Sequence, residues 1–301
     1  MVSKNASSTY IDYSSLSQAS VDVIFDSACT VEYEGTSVPY STMNYDLTRT
    51  KVLSFDVYAT LIDWEAGIFQ QLSPLLGRLP PQSRHWGNSI KQMKDFLLGQ
   101  FAYHESQIKT KNPKMIYSIV LSQIYMRLAS TLEVAVTEKE ANAFGHGIGG
   151  WHAYPDTVNA LLRLKKFYKL VALSNCDRVS FSKTTSGPLK AVKFDAIYLA
   201  EDIGSYKPDP NNFRYLTEHV KSDFGFDKDQ ITHTAQSLSH DHVPAKTFGL
   251  PPSVWISRGA SADNSIGGEL KDYADKINLG AIYTTLGDMA EAVEKAFASQ
   301  N

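Results

Sequence analysis

The sequence predicts an α/β fold: a doubly wound parallel sheet, interrupted after its first strand by a helical insert. Three observations carry that expectation. A continuous apolar run, "KVLSF" at 51–55, climbs to a single carboxylate, Asp56, and breaks into a small-polar turn through Ala59 and Thr60. Residues 65–150 then hold helical spacing with no convincing strand among them. From Trp151 onward, helical and strand-like segments alternate to the end of the chain.

Taken in order, residues 1–48 are rich in Ser, Thr and Tyr and poor in helix formers. Within them, "VDVIFDSACTVEYEGTSVPYS" fits either a hairpin turning at Glu34-Gly35 or an arm packed on a neighbour. The residues themselves do not indicate a role for this extension. The core is expected over 49–64 and 151–301. "KVLSF" lacks polar alternation, as befits a strand of a parallel sheet covered on both faces. The insert, 65–150, reads as helices in "SIKQMKDFLLGQFAYHE", "PKMIYSIVLSQIYMRLASTL" and "TEKEANAFGHGI", with Pro113 placed to open the second. "GHGIGGW" at 145–151 has the glycines of a dinucleotide fingerprint but no strand before it, and reads as a hinge.

Beyond it, "PDTVNALLRLKKFY" is an amphipathic helix and "KLVALSN" a strand ending in polar residues. "FDAIYLAED" is a strand, "DPNNFRYLTEHVKSDFG" a helix, "QITHTAQS" a strand and "DHVPAKTFG" a helix. "SVWISR" and "AIYTT" are strands, and "TLGDMAEAVEKAFAS" closes the chain as a helix. Sheets of this kind bind ligands at the carboxyl ends of their strands. The polar residues at those ends, Asp56, Ser174, Asn175, Lys207 and Asp241, are therefore the candidates for chemistry.

Composition narrows the partners. With 301 residues, 43% hydrophobic and 20% charged, the chain suits one large or two modest globular domains. A formal charge of -3 leaves no electrostatic footprint for nucleic acid or an anionic membrane. No stretch approaches the roughly 20 apolar residues needed to span a bilayer. The opening residues lack the apolar core of a secretory signal and the Arg-rich bias of a transit peptide. Two cysteines, Cys29 and Cys176, cannot build a disulfide framework, so a reducing cytoplasm is the expected compartment.

A carboxylate buried at a strand end is costly unless something is gained there. Asp56 can be a cap, a metal ligand or a nucleophile. "FDVYATLIDW", "LVALSNCD", "SYKPDP" and "HDHVPAKTFGLPPSVWISR", in that order and at these separations, resemble the haloacid dehalogenase superfamily. The branch most similar is the type II, or L-2-haloacid, dehalogenases. The resemblance spans about residues 50–295 and is specific as an ordered set, each motif being weak alone. It implies a Rossmann-like core with a helical cap inserted after the first strand. It also implies that Asp56 is the nucleophile, with Tyr58 and Thr60 matching the tyrosine and threonine of its loop. Ser174 and Asn175 match the pair that binds the substrate carboxylate and the nucleophile. Lys207 matches the lysine that neutralises the site, and Asp241 the late aspartate that orders the loop or the hydrolytic water.

The implied reaction is a metal-independent hydrolysis of a small carboxylate substrate through an aspartyl ester, with no cofactor. Lys207 is expected to hold Asp56 ionised, since an opposite charge nearby lowers a carboxylate pKa. Backbone amides after Asp56 can serve as oxyanion donors for ester hydrolysis. Oligomeric state stays open, a homodimer being frequent among relatives.

Rival readings remain beside this one. Ser174 and Asn175 would cap a helix in any α/β protein. Asp202 is a possible partner for Lys207, or simply loop structure. The superfamily's magnesium-dependent phosphatases carry a second aspartate where this chain has Tyr58, a phenol too weakly acidic to replace it. Asp56 and Asp241 alone are a thin oxygen set for an octahedral cation. Of His240 and His242, which flank Asp241, only one can readily face inward, and these and His233 read as structural rather than metal-binding. Cys176 reads as structural, with no acid–base partner in view.

The departures concern substrate. L-2-haloacid dehalogenases carry a cap arginine that binds the halide, whereas "DFLLGQFAYHESQ" offers Gln100, Phe101 and Tyr103. A family tyrosine becomes Phe213, a serine Gln236 and an asparagine Leu238. Losing the guanidinium removes a charge-assisted contact to the leaving anion. Strained-ring opening of an epoxide or azetidine carboxylate therefore stays open. It needs a proton donor, for which Tyr58, Tyr103, His104 or a late histidine qualifies. Phe101, Tyr103, Tyr117 and Trp151 either shape an apolar pocket or form ordinary cap core. The expected substrate-binding set is Tyr58, Ser174, Asn175, Phe101, Tyr117 and Phe213. A non-catalytic relative is the remaining alternative.

Overall fold

The computed structural model describes residues 30–33, 36–39, 45–258 and 267–300. The first two segments, β1 (Thr30–Tyr33) and β2 (Thr36–Pro39), pair antiparallel with Tyr33 opposite Thr36, matching the expected hairpin. Its turn residues 34 and 35, and Cys29, lie outside the described residues.

Six strands form one parallel sheet: β3 (Val52–Phe55), β4 (Lys169–Ser174), β5 (Ala196–Leu199), β6 (Ile231–Ala235), β7 (Ser253–Ile256) and β8 (Leu279–Tyr283). Their order is β5-β4-β3-β6-β7-β8. Every residue of β3, β6 and β7 is buried, which is why these strands read as apolar runs without alternation. Alternate side chains serve opposite layers. Leu53 and Phe55 join a cluster with α5 (Thr157–Leu164) and α11 (Leu286–Ala298), whereas Val52, Val171 and Ile231 pack with α8 (Asn211–Phe224) and α9 (Val243–Phe248). The first layer is also tied by Arg163, whose Nε and Nη2 donate to Glu294 at 3.1 and 2.6 Å.

The chain leaves β3 and later returns on one side as β4 and on the other as β6, so strand order reverses at β3. Phe55 lies opposite both Ala172 and Thr234. A doubly wound sheet opens its ligand crevice at such a switch point, beyond the carboxyl ends. Asp56 is the next residue.

Between β3 and α5 come the insert's four α-helices, α1 (Trp64–Leu76), α2 (Ile90–Lys111), α3 (Tyr117–Thr131) and α4 (Glu138–Gly145). Capping boxes start two of them, Ser89 with Gln92 on α2 and Thr137 with Glu140 on α4. Pro113 does not open α3 as expected. It sits in a turn closed by Met115 N to Asn112 O at 3.0 Å, and the helix begins at Tyr117. Three of the four glycines in 145–151 serve close packing: a Cβ on Gly145 would strike the backbone of Ser118 and the hydroxyl of Ser122 on α3, whereas Gly150 has open space around it. Among the described residues, no helix is long and apolar enough to cross a membrane.

A similar approach joins α1 to the segment returning from the insert. A Cβ on Gly67 would enter the Trp151 indole, which is 3% exposed and fills the groove left by the missing side chain. Gly67→Ala is expected to destabilise the protein by about 1–3 kcal/mol through overpacking, although alanine is the better helix former. Urea unfolding measures it, and a stabilised variant would contradict the packing described here.

Ser174 and Asn175 do not start the helix after β4. That helix, α6 (Arg178–Ser186), is capped by Asp177, whose side chain accepts from Ser180 N at 2.9 Å. Ser174 instead ends β4 and Asn175 lies in the turn, which leaves both side chains free of capping duty.

Candidate active site

The turn after β3 is built so that Thr60 folds back onto Asp56. Val57 O accepts from Leu61 N at 2.7 Å and Ile62 N at 2.9 Å, and Ala59 between them takes a left-handed φ of 77°. The Thr60 hydroxyl donates to Asp56 Oδ2 at 2.7 Å and accepts from Gln236 N at 2.9 Å.

Lys207, 1% exposed, uses all three ammonium protons: on Asp56 Oδ1 at 2.8 Å, Asp241 Oδ1 at 2.6 Å and the Leu173 carbonyl at 3.0 Å. Asn175 brackets the lysine backbone, accepting from Lys207 N at 2.7 Å and donating to Lys207 O at 3.0 Å. His233 Nε2 lies 2.8 Å from Asp241 Oδ1, and its Nδ1 lies 2.8 Å from the Ser54 hydroxyl. Asp241 stands on a five-residue π-helical turn, Leu238–His242, that leads into α9. Such turns concentrate at functional sites.

One ammonium thus serves two buried carboxylates, and they do not share it equally. Burial raises the Asp241 carboxyl, but Lys207 and His233 overcome it and hold it well below the usual range. Burial lowers the lysine, yet the two acids outweigh it and keep the ammonium charged. Asp56 goes the other way. Burial, aided by the Asp241 charge, outweighs Lys207 and Thr60 and raises its pKa above the ordinary aspartate value. Lys207 does pull the Asp56 carboxyl down, as expected, but burial outweighs it, and the ammonium's shorter contact goes to Asp241.

These groups floor a cavity of about 830 Å³ that also contacts Tyr58, Tyr117, His240 and Arg258. Ser174, 1% exposed, lines it with a hydroxyl that has no hydrogen-bond partner. The structure therefore brings Asp56, Tyr58, Tyr117, Ser174, Asn175, Lys207 and Asp241 to one cavity, with Thr60 just behind. Tyr58 shares a hydrogen bond with Thr184 at 2.8 Å, and burial keeps its phenol protonated.

Phe101 and Phe213 do not line the cavity, and this corrects their assignment to substrate. Phe101 faces α1, edge-on to Trp64 at 5.3 Å, and Phe213 packs beneath the sheet, edge-on to His233 at 5.3 Å. Tyr103 is 59% exposed and lies edge-on to His104 at 5.3 Å, and neither lines the cavity. Trp151 packs edge-on to Tyr58 at 6.1 Å, behind the lining. His242 is buried between Ser253 Oγ at 2.7 Å and Ala235 O at 3.0 Å, so only His240 of that pair faces inward. Asp202 pairs with Arg178 rather than with Lys207. Cys176 is buried, and burial pushes its thiol well up, in keeping with a structural role.

Two groups of lining residues escaped the sequence reading. On α2, Glu105 accepts from Tyr117 Oη at 2.8 Å and lies 3.6 Å from Lys109 Nζ, which sits 4.7 Å from the Tyr206 ring centroid. Their i,i+4 spacing was visible, but it marks any solvated helix face. Arg258 stands just past β7, and the strand-end rule that picked out Asp56 would have found it.

Residues that would hold a magnesium ion do not fit one. Lys207 Nζ lies between the Asp56 and Asp241 carboxylates, Tyr58 replaces the second acid, and the described residues contain no group of three His, Cys, Asp or Glu placed around a metal.

No protein-family model matches the sequence, and no curated protein matches it either. Solved structures do. An L-2-haloacid dehalogenase is 20% identical, with 81% of this chain and 99% of that one covered and a TM-score of 0.61. The L-2-haloacid dehalogenase of Xanthobacter autotrophicus with chloropropionic acid covalently bound is 16% identical over 81% and 98% of the two chains, with a TM-score of 0.60. A HAD-hydrolase of Bacillus subtilis bound to magnesium is 17% identical over 81% and 98%, with a TM-score of 0.58. At these identities the likeness establishes the fold, a Rossmann-like α/β core with an inserted helical cap.

Proposed function

We propose that this chain is a hydrolase of the haloacid dehalogenase type, in which Asp56 attacks carbon of a small carboxylate substrate without a metal. The observation that carries the reading is the buried trio at the cavity floor, an acid at the sheet's switch point held 2.8 Å from an ammonium that a second acid also grips. A carboxylate so oriented is a competent nucleophile despite its modest intrinsic reactivity.

In this reading the unpartnered Ser174 hydroxyl donates to the substrate carboxylate. An Asp56 oxygen forms a bond to the substrate carbon while the bond to the leaving atom breaks, its electron pair departing with that atom. Water then adds to the aspartyl carbonyl, with Asp241 facing the cavity to orient it, and collapse returns Asp56 and releases a hydroxy acid. Single turnover in heavy-oxygen water, followed by mass spectrometry of the peptide carrying Asp56, tests this. Label in that side chain supports it, and label only in product refutes it.

Strained-ring opening is the second reading, favoured by the cap wall. There α2 brings no arginine to the cavity but does bring Lys109 beside Glu105 and Tyr117, with His240 also lining the space. A ring oxygen or nitrogen remains on the product and takes a proton that a halide does not need. Turnover of 2-haloacids with stoichiometric free halide supports dehalogenation, whereas ring-opened product from epoxy or azetidine acids supports the alternative.

Either way, turnover requires ionised Asp56. Its raised pKa means that the acid form persists to higher pH than in an ordinary aspartate. The acid limb of kcat/KM is therefore expected above the unperturbed value of about 3.9. A limb at or below that value would contradict the charge balance described for the site.

A further inference from the structure

We propose that Arg258 is a positioning residue that locks the turn carrying Asp56, holding the Thr60 carbonyl while the Thr60 hydroxyl holds the carboxylate. The Arg258 Nε donates to Thr60 O at 2.8 Å, and Thr60 Oγ1 donates to Asp56 Oδ2 at 2.7 Å. Two of the three non-glycine residues with positive φ among the described residues meet at this bond, Ala59 at 77° and Arg258 at 55°. Such conformations persist only where their surroundings over-determine them, and they gather at sites of function.

The surroundings here do so. Arg258 Nη1 donates to Asp156 Oδ1 at 2.6 Å, Nη2 donates to Thr157 Oγ1 at 3.1 Å, and the guanidinium lies 4.2 Å from the Tyr154 ring centroid. Its backbone N bonds Thr284 O at 3.0 Å, and Asp156 also accepts from Gly287 N, at 3.0 Å. Segment 152–157, returning from the cap, runs along the same turn, with Tyr154 N on Leu61 O at 3.1 Å and Asp63 N on His152 O at 2.8 Å. The side chain lines the cavity yet is only 5% exposed, and each of its three nitrogens donates to a fixed protein oxygen. Three of its five N–H groups are thus spent on the turn and the segment beside it.

Titration of the Asp56 carboxyl tests the lock without substrate. It is read by NMR of protein labelled with carbon-13 at aspartate carboxyls, with the resonance assigned by its loss in Asp56→Asn. The groups facing Asp56 are Lys207, Asp241 with His233 behind it, and the Cys176 thiol. Losing the Thr60 hydrogen bond removes a donor to the charged form. Arg258→Met is thus expected to raise the Asp56 midpoint by about 0.5 pH unit or more, the scale of one lost hydrogen bond.

Loss of a cation would do the same through its field alone, so Asp156→Asn decides. It removes a negative charge, which by field alone lowers the midpoint, whereas a loosened guanidinium raises it. A rise in Asp156→Asn supports the lock, and a fall or no change overturns it. That variant also serves if Arg258→Met does not fold. In a Thr60→Val background, Arg258→Met is expected to add only the smaller shift that the lost cation's field supplies, and a shift there as large as in the wild type likewise overturns the proposal. The inference deepens the nucleophile reading but is judged on a titration, so heavy-oxygen labelling can fail while the lock stands, and the reverse.

Discussion

Replacing Asp56 by asparagine is expected to lower turnover by on the order of 10^4-fold or more, as removal of a covalent nucleophile does, while leaving the protein at least as stable as wild type. The first half follows from chemistry. An amide has no anionic oxygen to attack carbon, yet it matches the carboxylate in volume and can still accept from Thr60. The second half follows from the charges. Asp56 has a folded-state pKa above its ordinary value, so its ionised form is less favourable in the folded protein than in the unfolded chain. At neutral pH this opposes folding, and the opposition vanishes only below the ordinary value, where both states are protonated. Asparagine removes the strain and leaves Lys207 and Asp241 as a balanced pair 2.6 Å apart. A gain of up to about 1 kcal/mol in urea unfolding at pH 7 is the expected scale. An Asp56→Asn protein with undiminished turnover would reject the nucleophile assignment, and one that is much less stable would reject the charge ledger.

That trade between stability and reactivity also explains what the sequence could reveal. Asp56, Ser174 and Asn175 were legible because a parallel sheet collects polar residues at its carboxyl ends, whereas Lys207 and Asp241 stand well past the ends of β5 and β6 and were legible through the family resemblance of their motifs. The direction of the Asp56 shift was not legible. It depends on how one ammonium divides itself between two acids, and on His233 arriving behind Asp241 from a neighbouring strand. Phe101 and Phe213 were misplaced for a related reason. Phe101, an aromatic on a helix, announces burial but not which apolar neighbour it meets, Phe213 was placed by the family tyrosine it matches, and both point away from the cavity. The rival capping reading of Ser174 and Asn175 falls because Asp177, the actual cap, stands two residues beyond Asn175. Arg258 was passed over because its carboxylate, Asp156, lies 102 residues away, across the cap's return segment.

Lys207→Met is expected to be the most damaging substitution in the site for stability, at about 3–5 kcal/mol near pH 7, because it strands two buried carboxylates without a counter-ion. Methionine roughly preserves the volume, so packing contributes little and the loss is electrostatic. Its dependence on pH distinguishes this from a simple cavity. In the wild type, the Asp241 pKa is depressed, so its contribution is present above the unfolded value of about 3.9 and is lost as pH falls through the folded value. In the variant, burial acts on both acids with no cation to offset it, so their folded pKa values rise. Groups raised in this way contribute stability below the unfolded value and lose it as pH climbs through the folded one. The wild type and Lys207→Met are therefore expected to converge in stability at acid pH and diverge as pH rises towards 7. Adding Asp56→Asn to Lys207→Met removes one of the two stranded charges and is expected to recover part of the loss, a non-additivity that two independent sites would not show. If Lys207→Met instead runs parallel to the wild type at every pH, the ammonium is not the counter-ion of the pair. The carboxylate at the switch point would then lack the partner that keeps it available for attack.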